Sequence, residues 1–156
     1  IYVPGYYTEI GLIIKQARQN GINVPIVGAD GMADPKLAQI AGNKNASKIY
    51  YTTPFSTNLA KTNGTAKSFM DAFQAKYNQP APTFAALAYD SVNMIKQAIE
   101  DENSANSTKI APGLAKIKNF KGVTGTITVN KNHDPEKPIA IDQLTNGVVN
   151  KSYEIK

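Results

Sequence analysis

IYVPGYYTEIGLIIKQARQNGINVPIVGADG, residues 1–31, decides the fold class. Its first three residues are β-branched or aromatic and read as the end of a strand. Pro4-Gly5 then turns the chain. Thr8 is placed to cap a helix over about residues 9–20, because Ile10, Ile13, Ile14 and Ala17 recur at the helical i, i+3, i+4, i+7 spacing. Gly21 is a natural stop. VPIVG, residues 24–28, follows as a short buried strand. Strand, turn, helix, strand in this order predicts a parallel pair with its helix laid on one face.

The next segments extend the pattern. Asp34-Pro35 reads as an N-cap with Pro at the first helical position, and Gly42 closes that helix. KIYYTT, residues 48–53, is a further strand. PFSTNLAKTNG, residues 54–64, reads as loop, and a helix over about 65–77 follows with Phe69, Ala72, Phe73 and Lys76/Tyr77 along one side. NQPAP breaks it. Thr83 is placed to cap a long helix to about Glu100, with Leu87, Val92, Ile95 and Ile99 as its apolar positions. Residues 101–107 are a polar loop, and 108–118 read as helical apart from Pro112-Gly113, a pair that costs about 3 kcal/mol in a helix interior. From residue 122 the apolar period changes to two, through Val123, Ile127 and Val129. NKNHDPEK, residues 130–137, is a turn, PIAIDQL is a strand, and Asn146-Gly147 is a hairpin signal returning into VVNKSYEI. The fold class is therefore α/β, with strands concentrated at the two ends and helices in the middle.

Composition narrows the function classes. Of 156 residues, 42% are hydrophobic and 19% charged, a globular balance with no apolar run of the roughly 18–20 residues that span a bilayer. Cysteine is absent, which removes disulfides, thiol nucleophiles and Cys-ligated zinc. The net charge is +5 and the pI about 9.3, but the lysines are dispersed and Arg18 is the only arginine. A nucleic-acid groove needs basic runs interleaved with aromatics, so no nucleic-acid partner is expected. NKNHDPE alternates oxygen-bearing side chains like a calcium loop, yet Pro135 stands where that loop needs Gly and Ile141 where it needs Glu. His133 is the only histidine, and neither GxSxG nor a phosphate-cradling glycine loop occurs. No metal, no cofactor and no enzymatic activity are expected. The chain opens on strand-like Ile1 and not on Met, which predicts a piece of something longer.

Five blocks carry a resemblance: VPGYYTEIGLIIKQARQNGINVPIVGADG, PKLAQIAG, YYTTPFS, TFAALAYDSVNMIKQAI and FKGVTGTITVNKNHDPEKPIAI, in this order. Together they resemble the C-terminal half of the periplasmic-binding-protein-like receptors for branched-chain amino acids, the leucine/isoleucine/valine receptors that serve ABC importers. That resemblance implies a two-lobed type I clamshell of doubly wound parallel sheets joined by hinge strands. Residues 1–53 and 138–156 would belong to the second lobe and 54–137 to the first, with YYTTPFS and Lys137-Pro138 as two of the crossings. It implies an extracytoplasmic protein, periplasmic or held at the cell surface as a lipoprotein, that delivers leucine, isoleucine or valine to a membrane permease. The same clamshell also serves as a sensor or as a repressor's effector domain, and a small α/β enzyme is a further alternative. The family's helix after the polar loop runs unbroken, so Pro112-Gly113 is a departure.

An amino-acid receptor must answer an ammonium, a carboxylate and a side chain. A buried ammonium needs an acid, and an aliphatic side chain needs a dry wall that an aromatic supplies with few rotors. Tyr6 and Asp30 each follow a strand at its C-terminal end, where open α/β sheets bind ligands. The resemblance carries over the ligand-facing aromatic to Tyr6 and the ammonium-binding acid to Asp30. Read without it, Asp30-Gly31 is an ordinary turn dipeptide and Tyr6 a packing residue. Tyr7, Gly31 and Glu9 are weaker candidates: Tyr7 points to the other face, and Glu9 suits a helix first turn. The family's groups that grip the ligand carboxylate lie outside these residues. With half a cleft and open sheet edges, the chain alone is expected to bind weakly and to self-associate or exchange strands.

Overall fold

The computed structural model describes residues 1–155; Lys156, the last residue of the segment expected in the second lobe, lies outside them. Two sheets divide the chain. Residues near both ends build a four-stranded sheet, and the middle builds helices and a small three-stranded sheet.

In the first part, α1 (Tyr7–Gln19), β1 (Ile26–Gly28), α2 (Lys36–Ala41) and β2 (Ile49–Thr53) follow one another. β6 (Ile139–Thr145) and β7 (Val148–Ile155) complete the sheet in the order β1-β2-β6-β7. β1 and β2 pair in parallel, whereas β6 runs antiparallel to β2 and β7 antiparallel to β6. The parallel pairing thus holds for the β-α-β part, and the Asn146-Gly147 turn, with both residues at positive φ, reverses the chain between β6 and β7 as a two-residue hairpin. The opening residues contribute only a parallel bridge, Tyr2 to Val27. α1 and α2 lie on the same face. Ile10, Ile14, Leu37 and Ala41 meet Ile26, Ile49, Tyr51 and Leu144 in one apolar core, each large aliphatic side chain contributing about 1.5–3 kcal/mol of burial.

In the second part, α3 (Thr57–Ala60) is a helical turn inside what reads in sequence as plain loop. α4 (Gly64–Tyr77) starts at Asn63, whose side-chain oxygen accepts from the amides of Thr65 and Ala66. α5 (Thr83–Asp101) and α6 (Ser107–Lys116) pack together. α6 runs unbroken through Pro112. At the next position a Cβ on Gly113 would come within 2.9 Å of Glu102 Cγ and 3.2 Å of Ala98 Cβ, so its absence lets α6 settle close on α5. The buried face of α5 runs through Ala86, Asp90 and Ala98, not through the predicted apolar set; Val92 is 66% exposed. The helix is rotated because Asp90, not an aliphatic residue, is the anchor.

The stretch that reads as a single strand from residue 122 is in fact a hairpin, β3 (Phe120–Gly122) and β4 (Gly125–Val129), with β5 (Pro135–Glu136) added alongside β4. Its turn is held by the Asp90 carboxylate. The Val123 amide donates to Oδ1 at 2.7 Å, and the Thr124 amide and hydroxyl donate to Oδ2 at 2.8 and 2.6 Å. Asp90 is 3% exposed, and three charge-assisted bonds in a buried setting offset its desolvation. Asp90→Ala strands two buried amides, and we expect urea unfolding to show a loss of about 3 kcal/mol or more.

Candidate functional site

The site assembles at the C-terminal ends of two adjacent extended segments. Val3 donates its amide to the Val27 carbonyl and Val27 its amide to the Ile1 carbonyl, both at 2.8 Å, so residues 1–3 and β1 run side by side in the same direction. Both therefore release their loops at the same end of the sheet. The first loop is Pro4-Gly5-Tyr6, leading into α1. The second is Ala29 followed by a single 3₁₀ turn, Asp30–Met32.

The two loops touch. A Cβ on Gly31 would lie 2.5 Å from the Gly5 carbonyl oxygen and 3.2 Å from Tyr6 Cδ1. Only a residue without a side chain lets the backbones approach so closely. That approach brings Tyr6, Gly31 and Asp30 into one neighbourhood. Tyr6 occupies the N-cap position of α1, ahead of the start expected from Thr8, and uses no side-chain cap. Its ring is 65% exposed. Asp30 is exposed as well, and no ion pair among the described residues engages its carboxylate. An exposed aromatic face beside an unpaired acid is a pairing that can answer an apolar group and a cation together. Tyr7, by contrast, is half-buried and packs against the apolar core, and Glu9 stands exposed in the first turn of α1.

The connections between the two parts are polar. Lys137 reaches from the end of β5 into the crossing at residues 53–56: its Nζ donates to the Pro54 carbonyl at 3.0 Å and to Thr124 Oγ1. Because Asp90 holds Thr124, one chain of bonds links α5, the β3–β4 turn and both crossings. Burial brings the Lys137 ammonium down to about 8, with the nearby Asp90 charge opposing the shift. On the other side, Ser56 Oγ donates to Asp142 Oδ1 at 2.7 Å, and Ser152 Oγ donates to the same oxygen at 2.6 Å. Thr53 Oγ1 accepts from the Phe55 amide and donates to the Phe55 carbonyl, closing the bend between β2 and α3.

Asp90 and Asp142 carry no role in the sequence reading, and Lys137 and Ser56 enter it only as members of the two crossings, with no part given to their side chains. Signals for the two acids exist. Asp142 falls at an inward position of the alternation Ala140, Asp142, Leu144, and Asp90 stands four residues after Ala86 on the packed face of α5. An acid at such a position needs a buried partner.

Residues 6–148 match the model of a family described as periplasmic binding protein. The chain is 30% identical over 134 residues to the leucine-, isoleucine-, valine-, threonine- and alanine-binding protein of Pseudomonas aeruginosa, covering 86% of this chain and 35% of that protein. It is 28% identical to the Leu/Ile/Val-binding protein of Escherichia coli, over 86% of this chain and 35% of that protein. Among solved structures it is similar to the branched-chain amino acid transporter substrate-binding protein LivJ from Streptococcus pneumoniae in complex with isoleucine. The TM-score is 0.92 and the identity 42%, over 99% of this chain and 44% of that one. The leucine-binding protein LivK from Thermotoga maritima gives a TM-score of 0.86 and 33% identity, over 100% of this chain and 43% of that one. The chain thus spans 35% of the length of these curated relatives.

Two outcomes check the geometry. Gly31→Ala must push the Gly5 loop away and is expected to cost about 1–3 kcal/mol in urea unfolding, with altered NMR shifts for the Tyr6 ring protons. The Lys137 amine should titrate near pH 8 by NMR. Its folded value lies below its unfolded one, so the unfolded chain holds more protons above pH 8, and this group's contribution makes stability rise from there toward the ordinary lysine range.

Proposed function

The chain belongs to the periplasmic binding protein family, and we propose that it supplies one wall of the ligand cleft in an extracytoplasmic receptor for branched-chain amino acids. The close approach of Gly31 to Gly5 and Tyr6 is the observation that carries the reading, since it brings the loop of Asp30, an exposed acid, against the loop of Tyr6, an exposed aromatic. In this reading Asp30 receives the ligand ammonium through charge-assisted hydrogen bonds, and Tyr6 lies against the aliphatic side chain. Gly31 keeps the two loops close enough to serve one ligand. The carboxylate of the amino acid is gripped from outside this chain.

Residues 1–53 and 138–156 act as one lobe and 54–137 as part of the other. The crossings at Thr53–Ser56 and Lys137-Pro138 are the hinges, and the lobes rotate about them to close on ligand. The closed form then presents itself to the membrane permease of an ABC importer, outside the cytoplasm, and the chemistry of transport belongs to that partner. Selectivity follows from the dry wall: a polar side chain placed on the Tyr6 ring would lose its water without a partner. The protein does no bond chemistry of its own. The relatives' names support this assignment, LivJ having been solved with isoleucine.

The test is calorimetric titration of leucine into a complete two-lobed protein carrying this segment. Asp30→Asn is expected to weaken leucine by about tenfold to a hundredfold, the effect of removing one charge-assisted hydrogen bond, and Tyr6→Ala by a comparable factor. The 156-residue chain alone is expected to bind leucine weakly and to sediment as more than a monomer, its β7 edge being open. Unchanged leucine affinity in Asp30→Asn contradicts the ammonium assignment.

A further inference from the structure

A cavity of about 470 Å³ lies between the four-stranded sheet and the helical part. Asp34, Tyr51 and Asp142 line it on the sheet side, together with the apolar Ala38 and Leu144, and Met70 of α4 faces them. None of Tyr6, Tyr7, Glu9, Asp30 or Gly31 belongs to its wall. It is separate from the site described above.

Its polar groups are built in and left incomplete. Asp142 is 3% exposed, and both serine hydroxyls converge on its Oδ1. Oδ2 receives no donor from the described residues. Tyr51 is 6% exposed, and its phenol oxygen likewise has no hydrogen-bond partner among them. No side-chain nitrogen or oxygen sealed from solvent among the described residues lacks a partner, so these two oxygens keep access to solvent, and both residues line the cavity. Asp34, at its rim, spends Oδ1 on the Lys36 amide and keeps the other oxygen. The remaining charges facing the space do not neutralise these acids. Asp71 is paired with Lys67 at 2.5 Å, and Lys61 donates to Asn58 at 3.3 Å and forms no ion pair among the described residues. Two acids and a phenol oxygen thus face a cavity whose one lining cation, Lys61, is exposed and turned to Asn58, with no bond to either acid among the described residues.

The surroundings decide which cation. No group of three or more His, Cys, Asp or Glu among the described residues is arranged to hold a metal ion. The volume is many times that of a bare ion, and much of the wall is apolar. A primary ammonium has three N–H donors on a carbon stem, so it offers one end to the oxygens and the other to the apolar wall.

We propose that this cavity is a second binding site, for a small organic ammonium held by Asp142 Oδ2, Asp34 and the Tyr51 oxygen, with its alkyl group against Ala38, Met70 and Leu144. Because the wall draws on both parts of the chain, occupancy ties them together across the crossings. Burial already raises Asp142 above the ordinary carboxylate range, the serine bonds opposing it, and raises Tyr51 with help from the charges of Asp142 and Asp34. A bound ammonium favours the Asp142 anion, so affinity falls as pH drops through that raised value.

The probe is isobutylammonium, titrated by calorimetry and by amide NMR into a complete two-lobed protein carrying this segment, with isobutanol as the neutral control of the same shape. Saturable binding of the ammonium, none of the alcohol, and weakening on acidification are expected. Asp142→Asn can keep the oxygen that both serines use, but it removes the charge and puts an NH2 donor where Oδ2 accepts; it is expected to weaken binding about tenfold or more. Tyr51→Phe is expected to weaken it severalfold. Asp30→Asn should leave isobutylammonium unaffected while weakening leucine in the complete protein, which separates this site from the one proposed above. Equal binding of isobutanol, wild-type affinity in both Asp142→Asn and Tyr51→Phe, or no saturable binding at neutral pH overturns the proposal.

Discussion

The backbone of Gly31 rests so close to the Gly5 carbonyl that no side chain fits between them. Much of the candidate site depends on that approach. Parallel pairing of residues 1–3 with β1 aims two loops at the same end of the sheet. Parallel pairing alone leaves the loops as neighbours. The missing Cβ lets them pack together, which brings the backbones that carry Tyr6 and Asp30 close. Neither Tyr6 nor Asp30 is tied down by a hydrogen bond of its own side chain, so what is preorganised is the backbone beneath them. Preorganisation of this kind lowers the ordering cost that a ligand would otherwise meet.

A second constraint acts between the two parts of the chain. Among the described residues, only Phe55 ties the crossings to an apolar core. They are strung between two polar centres, Lys137–Thr124–Asp90 on one side and Ser56–Asp142–Ser152 on the other. Interdigitated aliphatic packing resists rotation because every small displacement opens a gap. Hydroxyl and ammonium bonds are few and directional, and they can be kept while a backbone bends. The apolar cores stand apart: one lies between α1, α2 and the four-stranded sheet, the other around Phe55, Ala66, Ala86 and Val123.

Local signals in the sequence carry as far as local physics acts. The period of α1, the Asn146-Gly147 hairpin and the β-branched run of β2 are determined within a few residues, and they stand in the fold where the sequence places them. The juxtaposition of Tyr6 with Asp30 is legible through the rule that ligands meet strand C-terminal ends, and through resemblance. What stays hidden requires knowledge of partners far along the chain. Thr8 reads as a cap, but the helix starts earlier because Tyr6 supplies the carbonyl that the Ile10 amide uses, at 3.0 Å. Val92 reads as core because the apolar pattern on α5 favours it; the helix instead turns Asp90 inward to hold a turn more than thirty residues away. The same turn, needing that distant acid, reads as uninterrupted strand. Pro112-Gly113 reads as a break, yet α6 continues through it and packs on α5 at Gly113, a contact with a partner outside the local window.

The central claim is that the acid beside the Tyr6 ring meets a ligand ammonium. The most direct measurement is the ¹³Cγ shift of Asp30 by NMR in a complete protein carrying this segment, titrated with leucine and, separately, with 4-methylpentanoate, which keeps the aliphatic chain and carboxylate and lacks the amine. The account predicts a saturable shift of the Asp30 carboxyl carbon with leucine and none with the amine-free acid. A carboxyl carbon that stays fixed while leucine binds, or that moves equally with both compounds, would contradict it.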